Sequence, residues 1–403
     1  MAHRQILQGS ITSPAGFSAG AVFADIKGWI RKSFDLAILY SDNPCAVAGT
    51  FTLNKIKAAP VLLCQDRVAN GRAQAIVANS GCANACTSDR GLADVREMAS
   101  LTAQKLGISS DDVLVASTGV IGTYLPMDRI EQGIERIALS PDGGPDFAQA
   151  IMTTDTVPKE VAVELELGGK TVTIGGVAKG AGMIHPNMAT MLCFITTDAA
   201  VERDFLQDSL RRAVELSFNM ISVDGDTSTN DSVLLLANGE AGNDTLDSNK
   251  EEAANFQAAL EHVCIYLAKC IAGDGEGSTK LIEMTVFGAR SMEEARMAAR
   301  TVVGSSLVKT AVYGGDPNWG RVMAAVGRSG AEVEELKIDL YLNELCLVRA
   351  GCPVAYDKSE AEELMSYEEI LFRMDLNLGD GEATAWGCDF TEEYIALNGD
   401  YTT

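Results

Sequence analysis

Thr190 stands where a run of small residues gives way to an apolar one, in KGAGMIHPNMATMLCF (179–194). A threonine hydroxyl is a weak nucleophile until a base takes its proton, and one base needs no second side chain: the threonine's own α-amine. That amine exists only after the bond before the threonine is cut. Its ordinary pKa, about 7.7–8.0, leaves a useful neutral fraction near neutral pH. Cutting requires the Thr190 hydroxyl to attack the Ala189 carbonyl, which the small Ala189 side chain would not obstruct, and water to resolve the ester. A turn at Pro186-Asn187 and a strand clamping Met191 onward would hold the bond for attack. Threonine is also common at strand starts and Pro-Asn is an ordinary turn, so the segment alone favours the ordinary reading.

Other chemistries fit less well. There is no GxxxxGK[ST], and no GxGxxG between a strand and a helix. GDGEGSTK (273–280) comes close, but Asp274 and Glu276 would repel a phosphate. Of His3, His185 and His262, only His185 lies in a suggestive segment, so a Ser-His-Asp site would depend on geometry the sequence does not reveal. Cys82 and Cys86, in SGCANAC, supply two ligands where structural zinc needs four. They read as small residues packing a loop and a helix start; neither metal nor cofactor is expected.

The whole chain constrains the partners. Its 403 residues carry 32 basic and 56 acidic side chains, a net −24. Nucleic acid and anionic membrane surfaces would be repelled, and an anionic substrate would need a locally basic pocket. MAHRQILQGS lacks a signal-peptide layout, and no apolar run is long enough for a membrane span. The ten scattered cysteines read as reduced thiols, which points to the cytoplasm.

These residues need elements to position them. Helical spacing predicts helices over 89–106, 127–138, 202–218, 250–271, 291–302 and 359–366. Strand-like runs cover 73–78, 112–117, 161–167, 171–178, 190–197, 232–237, 280–288 and 336–342, with a C-terminal ribbon from about 368. Helices and strands alternate without a strict βαβ rhythm, which predicts a layered α/β protein with mixed sheets, neither Rossmann nor barrel. The Gly-rich turn GDGEG (273–277) marks a seam, so a smaller α/β domain is expected from about 280.

KGAGMIHPNMATML (179–192) resembles the cleavage and nucleophile motif of the ornithine acetyltransferase family, the ArgJ-type glutamate N-acetyltransferases of arginine biosynthesis. ANSGCANAC (78–86), STGVIG (117–122), IMTTDTVPK (151–159), SVDGDTSTNDS (222–232), GDGEGSTK (273–280), GGDPNWGR (314–321) and AWGCDFTEEYIALNGDYTT (385–403) resemble family segments in family order. The resemblance implies an αββα-type sandwich working by N-terminal-nucleophile logic. It also implies cleavage between Ala189 and Thr190 into an α chain (1–189) and a β chain (190–403), assembled as an α2β2 heterotetramer.

Thr190 would carry the acetyl group in a ping-pong cycle, from N-acetylornithine, releasing ornithine, to glutamate, forming N-acetylglutamate. Thr118 and Gly119 match the pair that stabilises the oxyanion. Thr156, Lys179, Thr190, Glu276, Asn398 and Thr403 match substrate contacts, with Lys179 clamping the α-carboxylate and Glu276 meeting the ornithine ammonium. Asn398 and Thr403 would make the chain's tail part of the pocket. Cys82 replaces a commoner asparagine and the tail ends YTT rather than YRT, which leaves the detail of substrate contact open. The resemblance also leaves acetyl-CoA open as a second donor, although no CoA-binding signature is visible and recycling alone is the favoured expectation. Two rivals remain: a self-cleaving aminopeptidase or amidase, and an uncut metabolite-binding protein. The runs DTSTND (226–231) and DPNWGR (316–321) are assigned no chemistry.

Overall fold

The structure, a computed structural model, describes residues 3–26, 33–185 and 191–400. Pro186, Asn187, Ala189, Thr190 and Thr403 lie outside the described residues. Strands β1 (His3–Gln5), β2 (Phe17–Val22), β3 (Leu36–Phe51), β4 (Arg72–Cys82) and β5 (Val113–Val120) precede β6 (Lys159–Leu167), β7 (Lys170–Lys179) and β8 (Leu192–Thr197). After β9 (Ile221–Ser222) comes β10 (Ser232–Ala237). Among the described residues these strands, β9 apart, form a nine-stranded mixed sheet in the order β1-β6-β7-β8-β10-β3-β4-β5, with β2 beside β3.

The sheet turns on β3, whose register against β4 breaks between Tyr40 and Cys45. Its two halves then face each other. Val177, Leu192, Phe194, Leu234 and Leu236 from one half share a core with Leu39, Ile76, Ala78, Leu114 and Ala116 from the other. Alternate residues point outward, as the two-residue strand period requires. Cys193 and Ile195 pack under helices Arg203–Leu216 and Ala253–Gly273. Ile38, Val77 and Val115 pack under helices Ser88–Leu106 and Met127–Arg136. The layers therefore run helix, sheet, sheet, helix, as expected of the αββα-type α/β sandwich. LCFITT in β8 is buried throughout because both faces of the strand are covered.

A second sheet holds β11 (Leu281–Ala289), β12 (Asp339–Leu342), β13 (Leu345–Arg349), β14 (Cys352–Pro353), β15 (Glu369–Asp375) and β16 (Gly381–Cys388), ordered β14-β13-β12-β15-β11-β16-β9. The expected C-terminal ribbon is not one: β15 and β16 do not pair with each other but flank β11 on either side. Sequence alternation says which face of a strand is buried, not which neighbour the strand takes. The strand expected from 336 starts at Asp339, behind a 3-10 turn over Glu335–Lys337. Among the described residues no helix is long and apolar enough to cross a membrane.

Candidate active site

The ends of several strands meet at one end of the sandwich. Register puts Lys179 of β7, Leu192 of β8, Ser232 of β10 and Phe51 of β3 in one row. The opposite half brings the end of β5 alongside that of β4, with Ser80 opposite Thr118. Two polar links tie the halves together here. Asn230 Nδ2 donates to the carbonyls of Ala83 (2.6 Å) and Ser117 (2.8 Å). Lys179 Nζ donates to the hydroxyls of Thr118 (3.2 Å) and Thr153 (2.8 Å). Between them opens a cavity of about 390 Å³, lined by Thr118, Gly119, Thr153, Lys179, Glu276 and Asn398 among others. That is enough for an amino-acid-sized ligand.

Thr118 and Lys179 constrain each other. An ammonium only donates, so the Thr118 oxygen accepts from Lys179 and its own O–H is left to point elsewhere. The hydroxyl thus becomes a donor with a fixed direction, which is what a developing oxyanion needs. Gly119 follows at φ 128°, and a Cβ there would meet the Gly81 carbonyl carbon at 2.3 Å. Only glycine lets β5 approach the end of β4 so closely.

Lys179 is buried, and burial lowers its pKa, opposed chiefly by Asp155 and more weakly by Glu276 and Asp231. Behind it lies a buried ionic cluster. Lys159, 2% exposed, donates to Asp155 (2.7 Å) and Asp274 (2.5 Å). Asp155 also accepts from the Gly180 N–H (2.6 Å) and the Thr153 N–H (3.0 Å). Burial alone would push the Asp155 carboxyl up, but Lys179 and Lys159, with those hydrogen bonds, hold it well below the usual carboxylate range. The cluster fixes the backbone that carries Lys179 and Thr153. Across the cavity Glu276 accepts from Asn398 Nδ2 (2.8 Å), and its N–H bonds the Ala181 carbonyl (2.8 Å). A cation and a carboxylate thus share one cavity, the pattern a zwitterionic amino acid would meet.

Of the site residues expected from sequence, Thr118, Gly119, Lys179, Glu276 and Asn398 are brought together. Thr156 is exposed and turned aside, its hydroxyl and N–H both bound to Asp274. The sequence does not mark Thr153, Thr154, Asp155 or Lys159, and it marks Asp274 only as repelling a phosphate; IMTTDTVPK contains the first four, but a buried lysine cannot be told from a solvated one by spacing.

The flanks of the expected cut are also placed. On one side the Ile184 carbonyl accepts from Val223 N–H (2.6 Å), Asp224 accepts from the Met183 and Ile184 N–H groups, and the Thr227 hydroxyl donates to the His185 carbonyl (2.8 Å). The His185 ring turns to the Ser222 hydroxyl (2.9 Å) and Arg300, and burial, then Arg300, lowers its pKa. It is neutral and anchoring, not part of a triad at the cavity. On the other side the Met191 carbonyl accepts from Ser232 N–H (3.1 Å). The loop 223–231 and the first residue of β10 hold the two flanks of residues 186–190. DTSTND lies in that loop, so its polar side chains and turns serve to clamp.

Comparison with known proteins agrees in extent with this site. The ArgJ family matches residues 18–403. The arginine biosynthesis bifunctional protein ArgJ of Symbiobacterium thermophilum is 56% identical over 399 residues, covering 98% of this chain and 99% of the relative. That of Dehalococcoides mccartyi is 53% identical over 395 residues, 98% of each. The crystal structure of the Bacillus halodurans protein of the same name is 44% identical with a TM-score of 0.51, and 52% of this chain covers 98% of that one.

Proposed function

The chain belongs to the ArgJ family, and we propose from that membership and the cavity that it is an acyltransferase of arginine biosynthesis, a glutamate N-acetyltransferase. N-acetylornithine gives its acetyl group to the Thr190 hydroxyl and ornithine leaves; glutamate then takes the acetyl group and leaves as N-acetylglutamate. Thr190 becomes available when its hydroxyl attacks Ala189 and the chain is cut there. Thr118 and the Gly119 N–H stabilise the oxyanion in both reactions. Lys179 and Glu276 receive the two charged ends of the amino acid, with Asn398 steering Glu276. Thr403 completes the proposed substrate contacts, whereas Thr156, bound to Asp274 and not part of the cavity lining, supports Asp274 instead. The relatives are named bifunctional, against the sequence expectation of recycling alone, so acetyl-CoA is included as a second donor. A cytoplasmic α2β2 assembly of the cut chains is part of the proposal.

The single observation that carries this reading is the Lys179–Thr118 link at the mouth of a cavity whose other wall is Glu276. The size of the solved relative supports the cut. About 52% of 403 residues, roughly 210, accounts for nearly all of that chain, and a piece from Thr190 onward has 214 residues.

The test follows chains and acetyl together. On a denaturing gel the protein should give two bands, one with the N-terminal sequence TMLCF. N-acetylornithine alone should add one acetyl group to that chain, and glutamate should remove it. Thr190→Ala should stay a single inactive 42.7 kDa chain. An active, uncut Thr190→Ala protein would end the proposal. Two chains that never take up acetyl would keep the cut and point to an amidase.

A further inference from the structure

The regular ladder between β4 and β5 fails just where Thr118 and Gly119 lie. Its register slips between Gly81 and Cys82, opposite these residues, and Gly119 turns to φ 128°. Strand pairing alone then does not fix them. Asn230 adds what the ladder lacks: its Nδ2 gives one hydrogen to the Ala83 carbonyl (2.6 Å) and one to the Ser117 carbonyl (2.8 Å). Both hydrogens of the amide are used, and its Oδ1 accepts from the Thr229 hydroxyl (2.6 Å), so the side chain has one orientation. The Ser117 carbonyl belongs to the planar peptide that leads into Thr118, so holding it sets the direction in which the chain enters Thr118.

Asn230 is itself held firmly. It is buried, its N–H donates to the Ser228 hydroxyl (3.1 Å), and the Thr229 carbonyl accepts from the Ala58 N–H (2.9 Å). Its place in the chain matters as much. Ser232, which opens β10, follows closely and donates its N–H to the Met191 carbonyl (3.1 Å). One short segment, 230–232, therefore holds the peptide before Thr118 at one end and Met191 at the other. A cut before Thr190 would put Thr118 and Gly119 in one piece, and Met191 and Asn230 in the other.

We propose that Asn230 is a positioning residue, which registers the Thr118–Gly119 pair against the chain segment at Met191; this rests on the reading of that pair as the oxyanion donors. Asn230 acts through the Ser117 carbonyl, not on the reacting atoms. Losing its two bonds leaves two carbonyls without that donor and frees the end of β5 to drift from β10. Donors aimed at a developing charge depend steeply on placement, and a shift of about 1 Å costs on the order of 10²-fold in rate. Asn230 also lines the cavity, so a direct contact with substrate is the alternative that kinetics must separate.

Asn230→Asp keeps the shape but turns a carboxylate oxygen towards two carbonyls. Counted per cut chain, its kcat for transfer should fall on the order of 10²-fold, with KM for N-acetylornithine and for glutamate unchanged. A raised KM with kcat kept would make Asn230 a substrate contact and overturn the proposal. The second measurement repeats the substitution in Thr118→Val. Because Asn230 acts through that pair, the further loss there should be less than about tenfold. Two losses that simply multiply, as independent structural damage would give, overturn the proposal as well. Cutting passes through the same pair, so a folded variant that stays uncut is read on its cutting rate in the same two backgrounds. Should Asn230→Asp fail to fold, Asn230→Ala removes the donor without adding a charge and is read identically. A Thr118→Val protein that turns over normally removes the oxyanion reading and this one with it. A slow Thr118→Val protein beside a normal Asn230→Asp protein removes this one alone.

Discussion

In the proposed mechanism Lys179 serves two demands that pull in different directions. As a clamp it must present a charge to a carboxylate; as the partner of Thr118 it must hold a hydroxyl 3.2 Å away in one orientation. Kinetics separate the two. Lys179→Ala should reduce kcat/KM for transfer on the order of 10²-fold, as loss of a charge-assisted contact does. A rise in KM with kcat kept would assign the loss to clamping; a fall in kcat with KM kept would assign it to the oxyanion. Unchanged rates would discard both roles. Thr118→Val preserves shape but offers no donor, and it leaves Lys179 short of an acceptor. It should slow cutting and transfer alike, each by about 10²–10³-fold. A variant that cuts and turns over normally would take Thr118 out of the mechanism. At this scale Thr118, Gly119 and Lys179 were reached only through the family resemblance, because STGVIG alone reads as a strand-end turn and an isolated lysine as solvated surface; the structure brings the three to one cavity. The sequence was opaque for Lys159, whose importance comes from burial and from Asp274, far along the chain.

At the scale of elements, the loop over 223–231 does what a catalytic segment cannot do for itself. It bonds the chain before the proposed cut through Val223, Asp224 and Thr227, and Ser232, the residue that follows it, bonds Met191 on the other side. Gly225 allows its turn at φ 88°. Asp224 is the strongest grip, since its carboxyl takes two successive N–H groups, and burial raises its pKa against that of those bonds. Asp224→Ala should leave the sandwich folded but loosen residues 183–185. Uncut chain should then persist in freshly purified protein, cutting about tenfold more slowly or worse, as misplacement of reacting groups implies. Cutting at the wild-type rate would show that the grip is not needed. Helices with clear 3.6-residue spacing were readable, among them Ser88–Leu106 and Ala253–Gly273. Helix Gly144–Ile151 was hidden behind PDGGP, which reads as a turn, and β3 behind SDNPC, where the strand bends between layers. Local signals report turn residues faithfully, but not whether the chain stops there or merely bends.

The whole molecule decides what a cut would do. Strands β8 and β10 follow Thr190 in the chain, yet they sit between β7 and β3, which precede it. They are held by β7 through the Lys179–Leu192 to Ile174–Thr197 ladder and by β3 through Phe51–Ser232 to Ala46–Ala237. Their side chains fill both the core between the sheets and the core under the helices. The two pieces would therefore be interleaved in one sheet, and separating them means exposing the centre of the fold. Cores of this size open only with global unfolding. The 189- and 214-residue chains should co-elute in native gel filtration, at high salt as well as low, because apolar burial rather than surface charge joins them. For the α2β2 assembly the peak should lie near twice 42.7 kDa. In a urea series the chains should part at the same midpoint at which helical circular dichroism is lost. Chains that resolve from each other before that midpoint would mean that β8 and β10 are not held as this topology holds them, and the interleaved sheet would have to be given up.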